Sequence, residues 1–212
     1  MPKIVISAGP TREPLDDIRY LSNRSSGKMG YALAAAARDA GFDAVLVSGP
    51  TALTPPAGVR TIQVITAAEM AEAVKREAAA ADAVIMAAAV ADYRPAGIVT
   101  GKMKKAAGDL MLRLERTEDI LLSLGESKRP GQRLIGFAAE ADSLENYALE
   151  KLRRKNLDWI AANRIGHGET GFGADCNEVV LFGSDGCRIA LPLADKAVIA
   201  RRIIEVCLLD RR

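Results

Sequence analysis

Cysteine and histidine are scarce in this chain: three cysteines and one histidine among 212 residues. Cys176, Cys187 and Cys207 are odd in number and lack C-x-x-C spacing, which argues against a disulfide framework and a thiolate zinc site. They read as packing or surface thiols. The one histidine, His167, lies in GHGETGFG and reads as a loop residue. No sign of charge dominates either. Lys and Arg number 29 against 27 Asp and Glu, so neither charge-driven disorder nor a general nucleic-acid grip is expected, and any anion binding must be local. Long apolar runs are missing too. AVIMAAAVA, Ala83 to Ala91, is too short to cross a bilayer, and MPKIVISAG lacks the apolar core of a secretion signal. A cytoplasmic protein without a membrane partner is expected.

Two nucleotide signatures are also incomplete. SNRSSGKMG, Ser22 to Gly30, puts Gly27-Lys28 where a helical pattern begins. The P-loop pattern requires a glycine at position 22 and a hydroxyl residue after the lysine, and the chain has Ser22 and Met29. The magnesium-binding hydroxyl and one phosphate-wrapping glycine are therefore lost. A dinucleotide fingerprint fails as well, because GxGxxG needs the helix to start almost at once after the first strand. Here GPTREPLDDIRYLSNRSS intervenes, far longer than the roughly two to six residues such loops usually take. Long loops of that kind are usually functional.

What is present alternates strands with helices. KIVISA is a β-branched run stopped by Gly9-Pro10, and YALAAAARDAG supplies strong helix formers up to Gly41. DAVLVSG and VRTIQVI read as strands. Thr66 and Glu69 form a capping box for a helix to about Ala80, and ADAVIMAAA reads as the next strand. An excursion without clear period, ADYRPAGIVTGKMKKAAGD, precedes LMLRLER, a strand by alternation, and the short helix TEDILLSLGE. RLIGFAAE and LDWIAAN are further strands, separated by the helix NYALEKLRRK, for which Asp142 and Glu145 offer a second capping pair. NEVVLFG and CRIALPL flank Ser184-Asp185-Gly186, a favoured hairpin turn. DKAVIARRIIEVCLL closes the chain as an amphipathic helix. The pattern predicts a single domain over 1–212: an α/β, three-layer, Rossmann-like fold. Its sheet is mainly parallel, with a late antiparallel hairpin and an extended flap.

In open α/β sheets ligands bind beyond the carboxyl ends of the strands, and the unusual residues fall there. Ser25 and Ser26 either cap the first long helix or open it towards an anion. Arg12, Arg19, Arg24 and Lys28 concentrate positive charge in or beside the first loop, against Glu13, Asp16 and Asp17 as counter-charges. Asp92, just past a buried strand, suits a ligand polar group or a metal held through phosphates. Arg94, Lys102, Lys104 and Lys105 are either a solvated run or a segment that closes over a polyphosphate. Lys151 and Lys155 share a helix face, where an anion between them would relieve their repulsion; alternatively, with Arg153 and Arg154, they are cations at a helix C-terminus. Tyr147 and Lys151 also make the Y-x-x-x-K of short-chain dehydrogenases. The glycine-rich turn and the upstream serine of those enzymes are absent.

SAGPTREPLDDIRYLSNRSSGKMG, AAAVADYRP, KMKK, GFAAE and the paired lysines ending at KNLD, taken together and in order, resemble the phosphopantothenoylcysteine synthetases, the phosphopantothenate cysteine ligases. In most bacteria that ligase is the C-terminal half of a bifunctional coenzyme A flavoprotein. The resemblance implies CTP-dependent ligation of phosphopantothenate to cysteine through an acyl-cytidylate, with pyrophosphate and CMP as products and Mg2+ as metal. It implies that Asn23 holds the acyl-cytidylate, that Arg19 lies near phosphopantothenate, and that Lys102 is a flap lysine on the triphosphate. Ala87, Ala88, Ala89 and Asp92 match the nucleotide-binding turn, with Asp92 the candidate magnesium residue. Phe137, Lys151 and Lys155 match further nucleotide contacts, as does the segment Glu118, Asp119, Ile120 and Leu121. That segment departs from the family pattern, since Glu118 stands where many relatives have proline. A homodimer is implied, with fusion to a decarboxylase domain as a possibility and no flavin in this chain. The other readings are an NAD(P)-dependent oxidoreductase and a non-catalytic nucleotide-binding module.

Overall fold

In the computed structural model, which describes residues 1–104, 108–140, 144–164 and 173–210, the period of two in the first strand sets the layers. In β1 (Lys3–Ala8), Ile4, Ile6 and Ala8 join one apolar cluster while Val5 joins another on the opposite face. All four are fully buried, as expected of a strand covered on both sides. β4 (Asp43–Ser48) and β6 (Ala83–Met86) flank β1 in parallel register. β5 (Arg60–Gln63) adds beyond β4. β9 (Arg133–Glu140) and β10 (Trp159–Arg164) add beyond β6. β11 (Cys176–Gly183) and β12 (Arg188–Asp195) then pair antiparallel as the expected hairpin. The order is thus β12-β11-β10-β9-β6-β1-β4-β5 among the described residues. The chain winds outward from β1 through β4 and β5, then returns to the centre at β6 and winds the other way. The reversal leaves a crevice at the carboxyl ends of β1 and β6.

Helices cover both faces. α1 (Lys28–Asp39) and α5 (Lys196–Ile204) pack on one, and α2 (Ala67–Ala78), α3 (Ile120–Glu126) and α4 (Leu144–Arg154) on the other. Among the described residues no helix is long and apolar enough to cross a membrane. The fold expected from the sequence, three layers around a mainly parallel sheet, is the one observed. The α2 capping box forms, with the Glu69 N–H donating to Thr66 Oγ1 at 3.2 Å. The Glu69 carboxylate in turn accepts from the N–H of Ile65 rather than from that of Thr66. The second capping pair cannot be compared, because Asp142 lies outside the described residues, as does His167.

Three expectations change. The long loop after β1 is partly ordered as a small hairpin, β2 (Arg12–Pro14) with β3 (Tyr20–Ser22). Only three residues of LMLRLER become strand, β8 (Leu114–Arg116), and it pairs with β7 (Tyr93–Pro95) outside the main sheet. Its alternation therefore serves no buried face. Finally, neither serine caps α1: Gly27 does, at φ 79° with no side-chain cap bond. That left-handed backbone favours glycine over any residue with a Cβ.

One ion-pair group binds the sheet to α2. Glu77 accepts from Lys3 Nζ at 2.9 Å and from Arg60 at 2.5 and 3.2 Å. These partners, Arg60 foremost, hold its carboxyl at about 2 against an ordinary 4.5. A depressed carboxyl stabilises the fold above the unfolded value and loses that contribution as pH falls through the folded one. Glu77→Gln should thus lower stability by about 1–3 kcal/mol at neutral pH. The gap to the parent protein should close between about pH 4.5 and 2, read by denaturant unfolding at a series of pH values.

Candidate active site

The crevice is floored by hydrogen bonds between the tail of β1 and the chain leaving β6. Ala88 N–H donates to Ser7 Oγ (3.1 Å), Ala89 N–H to the carbonyl of Gly9 (2.9 Å), and Ala91 N–H to Thr11 Oγ1 (3.0 Å). Ser7 and Thr11 are fully buried. β6 ends at Met86, so the alanines that read as strand instead leave the sheet and turn across its edge. Thr117 Oγ donates to the Ala91 carbonyl at 2.5 Å, and Thr117 N–H to that of Asp92 at 3.0 Å, extending the floor towards α3.

Two adjoining cavities open above this floor, sharing Ala88, Ala89, Phe137 and Ala139 as lining. The larger, about 650 Å3, is also lined by Asn23, Asp92, Glu118, Asp119, Ile120, Leu121 and Lys155. Its volume lies within the range of small-molecule sites. The smaller, about 150 Å3, takes in Ala87, the first turn of α1, Asn163, Asn177 and Lys196. Most of the residues singled out from the sequence therefore meet at one place. Arg19, Lys102 and Lys151 line neither cavity.

Local bonding decides what each side chain can do. Asn23 Nδ2 donates to the Ala89 carbonyl at 2.8 Å, which fixes its amide at the rim of the larger cavity. Asp119 caps α3 by accepting from Leu122 N–H (3.1 Å) and pairs with Lys155 Nζ (2.8 Å). Burial acts to raise its carboxyl, but Lys155 and that N–H outweigh it and the net displacement is downward. Lys155 is thus neutralised by a neighbour instead of standing beside Lys151 as a bare cation. Glu118, at the position that departs from the family pattern, pairs with Lys75 at 2.7 Å and accepts from Ser123 Oγ at 2.6 Å. It ties α2 to α3, and Lys75 first and Ser123 second hold its carboxyl below the usual range. Helices α3 and α4 meet at Gly125, where any Cβ would stand 2.0 Å from the Lys155 carbonyl.

The first-loop cations are less available than charge counting implies. Arg19 is bound to Asp16 (2.6 and 3.0 Å), Lys28 to Asp175 (2.7 Å), and Arg12 lies 4.6 Å over the Tyr20 ring. The smaller cavity compensates with a residue the sequence reading missed. Lys196 is 7 % exposed, with Nζ donating to the Ala174 carbonyl. Desolvation and then Lys28 lower its ammonium, against Asp175. It read only as a residue at the start of the last helix; nothing local marked the fold-over that brings it to α1. Asn163 and Asn177 were missed for the same reason.

Among the described residues no group of three or more His, Cys, Asp or Glu side chains is placed to hold a metal ion. Glu118 and Asp119 are committed to Lys75 and Lys155. The remaining carboxylate on the lining of the larger cavity is Asp92.

Residues 1–209 match the model of the DNA/pantothenate metabolism flavoprotein C-terminal domain. The chain belongs to this family. It is 48% identical over 203 residues to the coenzyme A biosynthesis bifunctional protein CoaBC of Bacillus subtilis, covering 95% of this chain and 50% of that one. The Escherichia coli K12 protein of the same name is 44% identical over 205 residues, with 95% and 50% covered. The chain therefore spans about half the length of the curated relatives it matches. A crystal structure of a CoaBC C-terminal domain superimposes with TM-score 0.83 at 46% identity, covering 97% of this chain and 93% of that one. A Cab2 mutant in complex with phosphopantothenate-cysteine shares the fold, with TM-score 0.82 at 17% identity and 98% and 85% covered. The oxidoreductase alternative loses its one motif in this setting, since Tyr147 is half exposed on α4 and lines neither cavity.

The buried floor yields a direct test. Thr11→Val keeps the shape of the side chain but leaves the Ala91 N–H without its acceptor. It should lower unfolding free energy by about 1–3 kcal/mol, measured by denaturant titration.

Proposed function

We propose that this domain joins phosphopantothenate to L-cysteine by way of an acyl-cytidylate. The observation that supports the reading best is the convergence of Asn23, Ala88, Ala89, Asp92, Phe137 and Lys155 on one 650 Å3 cleft at the switch in strand order. A carboxylate does not react with an amine until one of its oxygens becomes part of a leaving group. In the first step a carboxylate oxygen of phosphopantothenate attacks the α-phosphorus of CTP, and the bond to pyrophosphate breaks. In the second, the cysteine amine attacks the acyl carbon, loses a proton, and CMP departs.

The residues fit that demand. The first-turn N–H groups of α1, with Lys28 and Lys196 beside them, suit phosphate charge in the smaller cavity. The small side chains of Ala87, Ala88 and Ala89 leave room for a pyrimidine ring against the backbone. The Asn23 amide can donate to phosphate or carbonyl oxygens without bringing negative charge. Lys102 and Arg19 would act from outside the cleft, Lys102 on the triphosphate and Arg19 on phosphopantothenate. A magnesium held by Asp92 through phosphate and water would supply charge neutralisation when bound. The cytoplasm is the compartment where these substrates are expected, and a decarboxylase domain is the fusion partner expected in the longer relatives.

A homodimer is part of the same reading. The segments around Arg19 and Lys102 carry exposed apolar side chains, among them Ile18, Tyr20, Ile98, Val99 and Met111. Exposed apolar side chains gathered in such segments suit an interaction surface, and a second copy of the chain would cover them.

Incubation with CTP, phosphopantothenate, cysteine and magnesium should release pyrophosphate, with ATP far poorer in a parallel arm. A folded protein that releases none would sink the reading, and equal use of ATP would remove the cytidine preference. In the same assay Lys102→Ala should lower kcat at least about a hundredfold while the unfolding midpoint stays within error. Asn23→Asp, which sets a carboxylate against a phosphate, should lower it by a similar factor. Sedimentation should give twice the chain mass, with Ile98→Glu shifting the species towards monomer.

A further inference from the structure

Asp16 is a buried acid with no role in the reading above, and it collects more donors than any other side chain described. Its Oδ1 accepts from the backbone N–H groups of Ile18 (2.9 Å) and Arg19 (2.7 Å). Its Oδ2 accepts from Arg19 Nε (3.0 Å), Arg19 Nη2 (2.6 Å) and the N–H of Met103 (3.0 Å). The residue is 4 % exposed, whereas the Arg19 side chain remains 46 % exposed. Arg19 Nη2 also donates to the Met103 carbonyl at 3.0 Å, so Asp16, Arg19 and Met103 form a closed ring of contacts. One residue on, Asp17 Oδ2 accepts from Gly101 N–H at 2.9 Å, and Val99 N–H donates to the Leu15 carbonyl at 3.1 Å.

Lys102 stands between the two clamped residues. Gly101 on its N-terminal side is held by Asp17, and Met103 on its C-terminal side by Asp16. Arg19, on the other segment of this contact, is held by the same carboxylate oxygen as Met103. We infer that Asp16 is a positioning residue that locks Arg19 and the root of Lys102 into one unit, so that the group for the phosphopantothenate side and the group for the triphosphate side are placed together. The inference rests on the ligase reading for the roles of Arg19 and Lys102, but the clamp itself does not. A buried carboxylate receiving charged and neutral donors is a rigid node, because every donor it loses leaves it less compensated. Arg19 holds the Asp16 carboxyl far below the ordinary carboxylate range, against the opposing effect of burial, so the node stays ionised at neutral pH.

The test uses Asp16→Asn, which keeps size but removes the charge, and Asp17→Ala, an exposed change that spares folding and releases only Gly101. Amide hydrogen exchange in the intact protein is followed by mass spectrometry. Asp16→Asn should speed exchange at Met103, and Asp17→Ala at Gly101, by at least about tenfold, the effect of losing a charge-assisted hydrogen bond. Unchanged exchange at both amides would overturn the clamp whatever the activity. In the pyrophosphate assay, Asp16→Asn should raise KM for nucleotide and for phosphopantothenate together and lower kcat by about ten- to a hundredfold. Adding Lys102→Ala to Asp16→Asn should then cost much less than Lys102→Ala alone. Losses that simply multiply would assign Asp16 a structural role and overturn the positioning inference. A parent protein that turns over nothing overturns the ligase reading and the kinetic half of the inference, and exchange still decides the clamp.

Discussion

The tail of β1 and the chain leaving β6 run on side by side past the ends of their strands, bridged at Pro10 and Ala89, and their polar backbone must be satisfied inside the protein at the switch in strand order. Ser7, Gly9 and Thr11 do this by taking the N–H groups of Ala88, Ala89 and Ala91. An unpaired buried N–H costs free energy comparable to a lost hydrogen bond, so this seam fixes both segments at once. The rest of the site depends on it. Asn23 is oriented by the carbonyl of Ala89, and Thr117 reaches the carbonyl of Ala91, so the rims on both sides take their positions from the same few peptides.

The small first hairpin is held as firmly as an element of the core. Glu13, 2 % exposed, accepts from the N–H of Ala67 at the start of α2, where a carboxylate is favoured by the helix dipole. Arg12 N–H donates to the Ile65 carbonyl on the same connection. Acidic residues that balance the charge of the loop in a count turn out to be structural. Glu13 serves α2, and Asp16 and Asp17 serve the segment before Met103. The net electrostatics of the region are therefore set less by the number of cations than by which of them have been neutralised.

The layers were legible in the sequence because buried parallel strands and amphipathic helices carry strong periodic signals, as in KIVISA and DAVLVSG. The cleft lining was legible through resemblance, since Ala88 and Asp92 follow β6 and Phe137 lies within β9, strands whose pattern is clear. Partnership was not legible. Nothing about Lys155 announces Asp119, which is 36 residues away, and nothing about Arg19 announces Met103, 84 residues on. Contacts of that kind arise from the fold-over of whole elements, and local pattern is blind to them. Ser25 and Ser26 show the converse, since their composition favours a cap but the backbone before Lys28 turns through a left-handed glycine.

The contact of α3 with α4 at Gly125 has a consequence for how the wall of the cleft can move. With no side chain between them and the Lys155 carbonyl against the helix, the two elements have no slack at that point. Asp119 and Lys155, a short distance away, pin them a second time. Tilting α3 alone would therefore not widen the cleft. Widening would drive both helices outward as a single jaw, against the apolar cluster in which Leu124 and Leu152 are buried, so this wall would yield as one body or not at all.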